Sequence, residues 1–170
     1  MTTENAPTIR PRTPADTAAC VQALAEVHHR DGYPVNWPAD PGDWLCAASG
    51  LGAWTAELDG HLVGHVALTP SGEGDAAPAL WGDPRATAVV SRLFVTPRAR
   101  GHGIGALLLD RAAAEAHHRG LHPVLDVVTS DTAAAALYER LGWQHLATVE
   151  QHWSRAQTVT VHCYAGPGAR

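Results

Sequence analysis

The sequence predicts a mixed α/β domain, and three observations carry that prediction. Apolar runs with strand character alternate with segments of helical spacing, in the order β-α-α-β-β-β-α-β-α-β-β. Asp59-Gly60 separates two apolar runs, the signature of a tight hairpin. A glycine-rich turn joins a strand to a helix at residues 95–105. The chain has 170 residues, 45% of them hydrophobic and 17% charged, which suits one sizeable core and excludes a disordered tail. A single domain over residues 1–170 is expected, with about seven strands and about four helices, and residues 1–7 flexible.

Taken in order, Thr8 to Arg12 reads as a first strand. Thr13-Pro14-Ala15-Asp16 then opens a helix, with Thr13 at N-cap, Pro14 at N1 and an acidic N3. Val21, Leu24, Ala25 and Val27 follow at largely helical spacing, and Asp31-Gly32 ends the element. The next stretch is rich in Pro, Gly and aromatics, and Asp40-Pro41 caps a short second helix through Trp44 and Cys46. Ala53–Leu58 and His61–Thr69 form the hairpin around a type I′ turn. Pro70 to Arg85 reads as a loop. Ala86 to Val95 is a strand stopped by Pro97, Ile104 to Arg119 a helix ended by Gly120, and Pro123 to Val128 a buried strand. Asp131 caps a helix running to Leu141, and two strands, Trp143–Gln151 and Thr158–Tyr164, close the chain.

Charge and composition exclude several classes of function. Twelve basic residues, all Arg, stand against 17 acidic ones, for a net charge of −5. A nucleic-acid binder would carry a basic stripe instead. No run of about 18 apolar residues is present, so no membrane span is expected, and the polar stretch Met1–Pro7 predicts no secretory leader. Three cysteines, Cys20, Cys46 and Cys163, with no CxxC pair, predict reduced thiols in a cytoplasmic setting rather than a disulfide framework. The eleven histidines include adjacent pairs, His28-His29 and His117-His118, but no HExxH pattern, so no metal site is expected.

The turn itself is the most informative stretch. Arg100-Gly101-His102-Gly103-Ile104-Gly105 follows a strand and precedes a helix. Unpaired amides at a helix N-terminus carry partial positive charge, and glycines let a phosphate come close to the backbone. A Walker loop fails here, because Ala106-Leu107 stands where Lys-Ser/Thr is needed. The alternating glycines also depart from the GxGxxG spacing of a dinucleotide fingerprint. A coenzyme A pyrophosphate loop is the third reading, and a connection without ligand is the fourth.

Arg100–Gly105 resembles the (Gln/Arg)-x-x-Gly-x-(Gly/Ala) loop of the GNAT superfamily of N-acetyltransferases. About thirty residues on, Asp131-Thr-Ala-Ala-Ala-Ala-Leu-Tyr-Glu-Arg-Leu-Gly-Trp143 resembles that family's second signature. The resemblance implies a GNAT-like fold that uses acetyl-CoA as cosubstrate and needs no metal. It implies that backbone groups of the Leu93-Phe94-Val95 strand end pair with the pantetheine arm. The amides of Arg100, Gly101, His102, Gly103, Ile104, Gly105 and Ala106 would hold the pyrophosphate. Asp131 stands where the family often has an Asn facing the pantetheine, with helix capping as its other role. Tyr138 falls on the position of the general acid that protonates the departing thiolate, although a ring simply packed beside Trp143 fits the position too.

The family's strand Glu falls on Val89 here, so no carboxylate base is present at that point. A water held by Ser91 or by His65 is the alternative, with His65 titrating near neutrality. For the acceptor, His28, Tyr33, Trp37 and Trp44 cluster before the hairpin, while Glu73, Asp75, Trp81 and Asp83 lie in the later loop. Aromatics with carboxylates suit a cationic amine; they equally suit an apolar staple. The expected reaction moves acetyl from acetyl-CoA to a primary amine of a small molecule, such as an antibiotic, an amino acid or a polyamine-like compound. A protein N-terminal or lysine acetyltransferase is the alternative within the class, and a non-catalytic CoA-binding regulatory domain the alternative outside it. A homodimer is expected from the resemblance alone.

Overall fold

Seven strands form one mixed sheet in the order β1-β2-β3-β4-β5-β7-β6. The computed structural model describes residues 6–72 and 74–169. Most of the segment expected to be flexible therefore falls outside the described residues, as does Glu73. The elements are β1 (Thr8–Pro11), α1 (Thr17–Asp31), α2 (Pro41–Ala47), β2 (Gly52–Leu58), β3 (His61–Pro70), α3 (Ala77–Trp81), β4 (Thr87–Val95), α4 (Ile104–His118), β5 (His122–Val128), α5 (Thr132–Arg140), β6 (Gln144–Ser154) and β7 (Gln157–Ala165). Among them, α3 was not expected. Its N-terminal amides, Ala76 and Ala77, donate to the Asp126 carboxylate of β5 at 2.8 and 3.0 Å. A cap supplied from fifty residues away leaves no trace in the local sequence.

By contacts the described residues fall into two compact units. The first comprises the residues up to Leu68 together with Arg92–Ala112. Here β1 pairs with β2 and β2 with β3, both antiparallel. The hairpin turn has Asp59 at φ 53° and Gly60 at φ 78°, the two left-handed residues that a type I′ turn requires. Cys20, Ala23, Leu24 and Val27 of α1 point inward with Leu45 and Phe94, and Tyr33, Trp44 and Leu62 close over them. Arg10 of β1 forks onto both oxygens of Asp16 at 2.8 Å and onto Glu57 of β2 at 2.7 Å. That pairing, with the Thr13 amide and hydroxyl on the same carboxylate, holds the Asp16 carboxyl far below the usual range.

The second unit comprises Thr69–Ser91 and the residues from Ala113 onward. Thr87, Ala88 and Val89 of β4 lie parallel to His122, Pro123 and Val124 of β5. β5 and β7, then β7 and β6, pair antiparallel. The core joins Ala77 and Val89 to Val124, Val161, Cys163 and Ala165. Asp126 also accepts from Gln151 Nε2 at 2.9 Å, so one carboxylate ties α3, β5 and β6 together. α5 begins as its sequence predicts, with Asp131 Oδ1 accepting from the Ala134 amide at 3.1 Å. Among the described residues no helix is long and apolar enough to cross a membrane.

Candidate active site

β4 ends at Val95, and the chain turns through Pro97–Ala99 before α4 starts at Ile104. Gly101 and Gly103 sit at φ 87° and 72°, a region closed to most side chains. A Cβ on either would meet nothing within 4 Å, so the space beside both glycines is open. Leu107 N–H donates to Gly103 O at 3.1 Å. By helix geometry the amides of Ile104, Gly105 and Ala106 then point out of the helix end, with the positive end of the α4 dipole behind them. The Arg100 amide, expected to join them, instead donates to Pro97 O at 3.3 Å. His102 is exposed, Gly105 and Ala106 are half-buried, and Ile104 is buried as the anchor of the first turn. Two arginines brace the turn against α1. Arg98 reaches Glu26 at 3.4 Å, and Arg100 pairs with Asp31 and donates to Val95 O at 3.2 Å.

The approach to the turn is irregular. Arg92, inside β4, has φ 52°. Its carbonyl accepts from His65 Nδ1 at 2.9 Å. Because a carbonyl only accepts, Nδ1 carries the proton and Nε2 bears the lone pair, which faces Arg12 Nη1 at 2.9 Å. The His65 ring is fully buried and stacks on Phe94, with centroids 5.3 Å apart. Burial, with Arg12 and Arg92 nearby, brings its pKa down to about 4. The expectation that His65 titrates near neutrality is thereby corrected. Its one lone pair is occupied, so it has no capacity to take an amine proton at pH 7.

Tyr138 lies on α5, buried, with its ring 6.0 Å from that of Trp143 and 5.6 Å from that of Tyr164. Tyr164 in turn donates to Glu139 at 3.1 Å. Ser91 Oγ is buried without a hydrogen-bond partner among the described residues, as is Thr96 Oγ1. Cys20 and Cys163 are buried, and burial pushes their thiols up to about 11 and about 12, which disfavours the nucleophilic thiolate. Among the described residues no three His, Cys, Asp or Glu side chains gather as a metal site.

The model of the acetyltransferase (GNAT) family matches residues 21–143. The chain belongs to the GNAT family. Its relatives include a mycothiol acetyltransferase of Geodermatophilus obscurus, 41% identical over 67% of this chain and 34% of that protein. An uncharacterized N-acetyltransferase of Methanocaldococcus jannaschii is 31% identical over 63% of this chain and 45% of that protein. The chain thus spans less than half the length of either relative. The solved structure of yncA from Salmonella typhimurium, with its cofactor acetyl-CoA, superposes with a TM-score of 0.68 at 24% identity, over 95% of this chain and 93% of that one. The GNAT-like fold read from the two motifs is therefore the fold observed.

For a GNAT chain, three features went unseen in the sequence. Arg92 in a left-handed conformation has no local signature, whereas a glycine there would have drawn notice. Arg12 is remote from the turn in sequence. The face of Trp44 is covered by the Arg92 guanidinium at 4.0 Å, so this ring already has a cation of the protein's own. Of the remaining acceptor candidates, His28 packs on Trp37 at 5.1 Å and bonds Pro34 O through Nδ1 at 2.8 Å, while Tyr33 meets Trp44 edge-on at 6.3 Å. Trp37 is left 40% exposed. Trp81 stacks on His122 at 4.6 Å and is thereby engaged with β5.

Proposed function

We propose that this chain is an N-acetyltransferase that carries acetyl from acetyl-CoA to a primary amine of a small molecule. The observation that carries the reading is the open turn ahead of α4. Two left-handed glycines bare a row of amides at the positive end of a fifteen-residue helix, an arrangement suited to a diphosphate. Backbone groups of Leu93 and Val95 pair with the pantetheine arm. The Val95 carbonyl also accepts from the Arg100 guanidinium. Asp131, whose Oδ1 caps α5, keeps its second oxygen for such a contact.

In the proposed step the amine nitrogen attacks the thioester carbonyl, the C–S bond breaks, and the acetyl group ends on nitrogen. The amine proton leaves to water. The departing thiolate takes the proton of the Tyr138 hydroxyl, which solvent later restores. No residue forms a covalent intermediate, and holding the amine against the thioester supplies most of the acceleration. Ser91, with a hydroxyl unpaired among the described residues, is the side chain with capacity to hold the proton-accepting water. His28, Tyr33 and Trp37 line the acceptor side. The setting is cytoplasmic, and the assembly is a homodimer of one-domain chains.

The test is thiol release from acetyl-CoA across a panel of amines, antibiotics, amino acids and peptides. Wild-type turnover on a small amine is expected, and Tyr138→Phe should lower kcat by about a hundredfold at unchanged acetyl-CoA affinity. Equal turnover in the variant removes Tyr138 from the mechanism. Acetyl-CoA binding without turnover on any amine replaces the enzyme with a regulatory CoA-binding domain, the reading favoured by Val89 at the strand-carboxylate position. Turnover on peptides alone makes it a protein acetyltransferase.

A further inference from the structure

We infer that His65, itself held by Arg12, is a positioning residue that locks Arg92 in its left-handed conformation and so sets the strand end that receives acetyl-CoA. The inference rests on the acetyl-CoA reading above. A non-glycine residue at φ 52° inside a strand is strained, and such strain persists only where the surroundings impose it. Here the imposing contact is visible. His65 Nδ1–H donates to the Arg92 carbonyl from a ring that is fully buried, so the bond faces no competition from water.

The imidazole is in turn fixed from its other side. Arg12 Nη1 donates to Nε2, while the same guanidinium donates to Leu45 O at 3.3 Å and Ser49 Oγ at 3.0 Å. Ser49 Oγ in turn donates to Cys46 O at 2.7 Å. The guanidinium thus fixes the imidazole from Nε2, and on the other side of the ring Nδ1–H is directed at the Arg92 carbonyl. The Arg92 side chain adds a second hold, lying over Trp44 and donating from Nε to Trp44 O at 3.4 Å. Charged groups facing His65 are Arg12 and Arg92, both cations, so the ring stays neutral.

Downstream of that carbonyl lie Leu93, Phe94 and Val95, and the turn follows. The neighbouring strand leaves little slack in this region. A Cβ on Gly64 would come within 2.9 Å of Leu108 and 3.2 Å of Phe94 O, and the Thr96 amide donates to Val63 O at 2.8 Å. β3 thus holds the strand end at Val63, Gly64 and His65. Of these holds, His65 alone acts through a side chain on the strained residue itself.

The experiment compares acetyl-CoA affinity by calorimetry, and amide exchange at Leu93 and Phe94 without ligand, in wild type and variants. His65→Leu should weaken acetyl-CoA binding by about tenfold, the scale of one lost buried hydrogen bond, and speed exchange at both amides. His65→Asn restores a donor toward Arg92 and should recover most of the affinity. Arg92→Gly adopts the same φ without strain, so adding His65→Leu to it should cost less than about threefold. Should His65→Leu fail to fold, Arg12→Met keeps the imidazole, removes its Nε2 partner and carries the same comparison. Unchanged exchange in folded His65→Leu overturns the clamp. So does an equal loss of affinity with and without Arg92→Gly, which would mark His65 as merely structural. Wild-type protein that binds no acetyl-CoA overturns the functional reading instead, and the exchange data still decide the clamp.

Discussion

Gly103 and Arg92 both occupy positive φ, and they are held there by different means. Gly103 has no Cβ and meets no steric objection at φ 72°. Arg92 does meet one, and the His65 bond overrides it. This difference makes Gly103 a clean probe of the phosphate site. Nothing lies within 4 Å of a Cβ built there, so a side chain would not disturb the interior. It would strain the turn and stand where the diphosphate approaches. Gly103→Val is expected to weaken CoA binding by about tenfold or more while costing roughly 1–2 kcal/mol of stability. Unchanged calorimetric affinity in the folded variant would contradict the pyrophosphate assignment. The turn was legible because glycine announces its conformation. The clamp was not, since Arg12, His65 and Arg92 carry no mutual spacing that chain-local rules can use.

At the level of elements, local chemistry sufficed wherever an element is capped by its own neighbours. Asp40 accepts from the Asp43 amide at 3.0 Å, Asp131 from that of Ala134, and Gly32 ends α1 at φ 75°; each was readable from a few residues. α3 is the exception because its cap, Asp126, sits on β5. Asp126→Ala should leave the α3 amides without their acceptor and Gln151 with only its 3.4 Å bond to Gly74 O. A loss of about 2–3 kcal/mol is expected, with faster amide exchange at Ala76 and Ala77. A variant as stable as wild type, with exchange unchanged, would show that α3 holds itself.

For the whole molecule, buried titratable groups set the pH range of stability. His65 has its folded pKa lowered from 6.5 to about 4. As pH falls between those values the unfolded chain takes up a proton that the folded one refuses. Stability is therefore complete above about pH 6.5 and declines toward pH 4, by on the order of 2–3 kcal/mol. Asp16, with its pKa held well below the ordinary 3.8, adds a loss at lower pH still. At the alkaline end Cys20 and Cys163 have pKa values raised from 9.0 to about 11 and about 12, so stability is lost as pH rises past 9. Melting curves from pH 4 to 11 should show a plateau between about 6.5 and 9, and His65→Asn should flatten its acid side. An acid limb as steep in that variant as in wild type would assign the proton to another group. Acetyl-CoA at a hundred times its Kd should raise stability by about 2.7 kcal/mol at every pH on the plateau.

The order of elements apart from α3, the hairpin, the locally made helix caps and the glycine turn followed from sequence, because each is governed by residues within a few positions of one another. The family resemblance came from the same short-range patterns. Tertiary structure alone decided three things: that β5 caps α3, that the Trp44 face belongs to Arg92, and that His65 is a neutral clamp rather than a proton acceptor. Each depends on groups distant along the chain meeting where water is excluded. In such a place an ionisable side chain takes its protonation state from its neighbours and no longer from its own intrinsic chemistry.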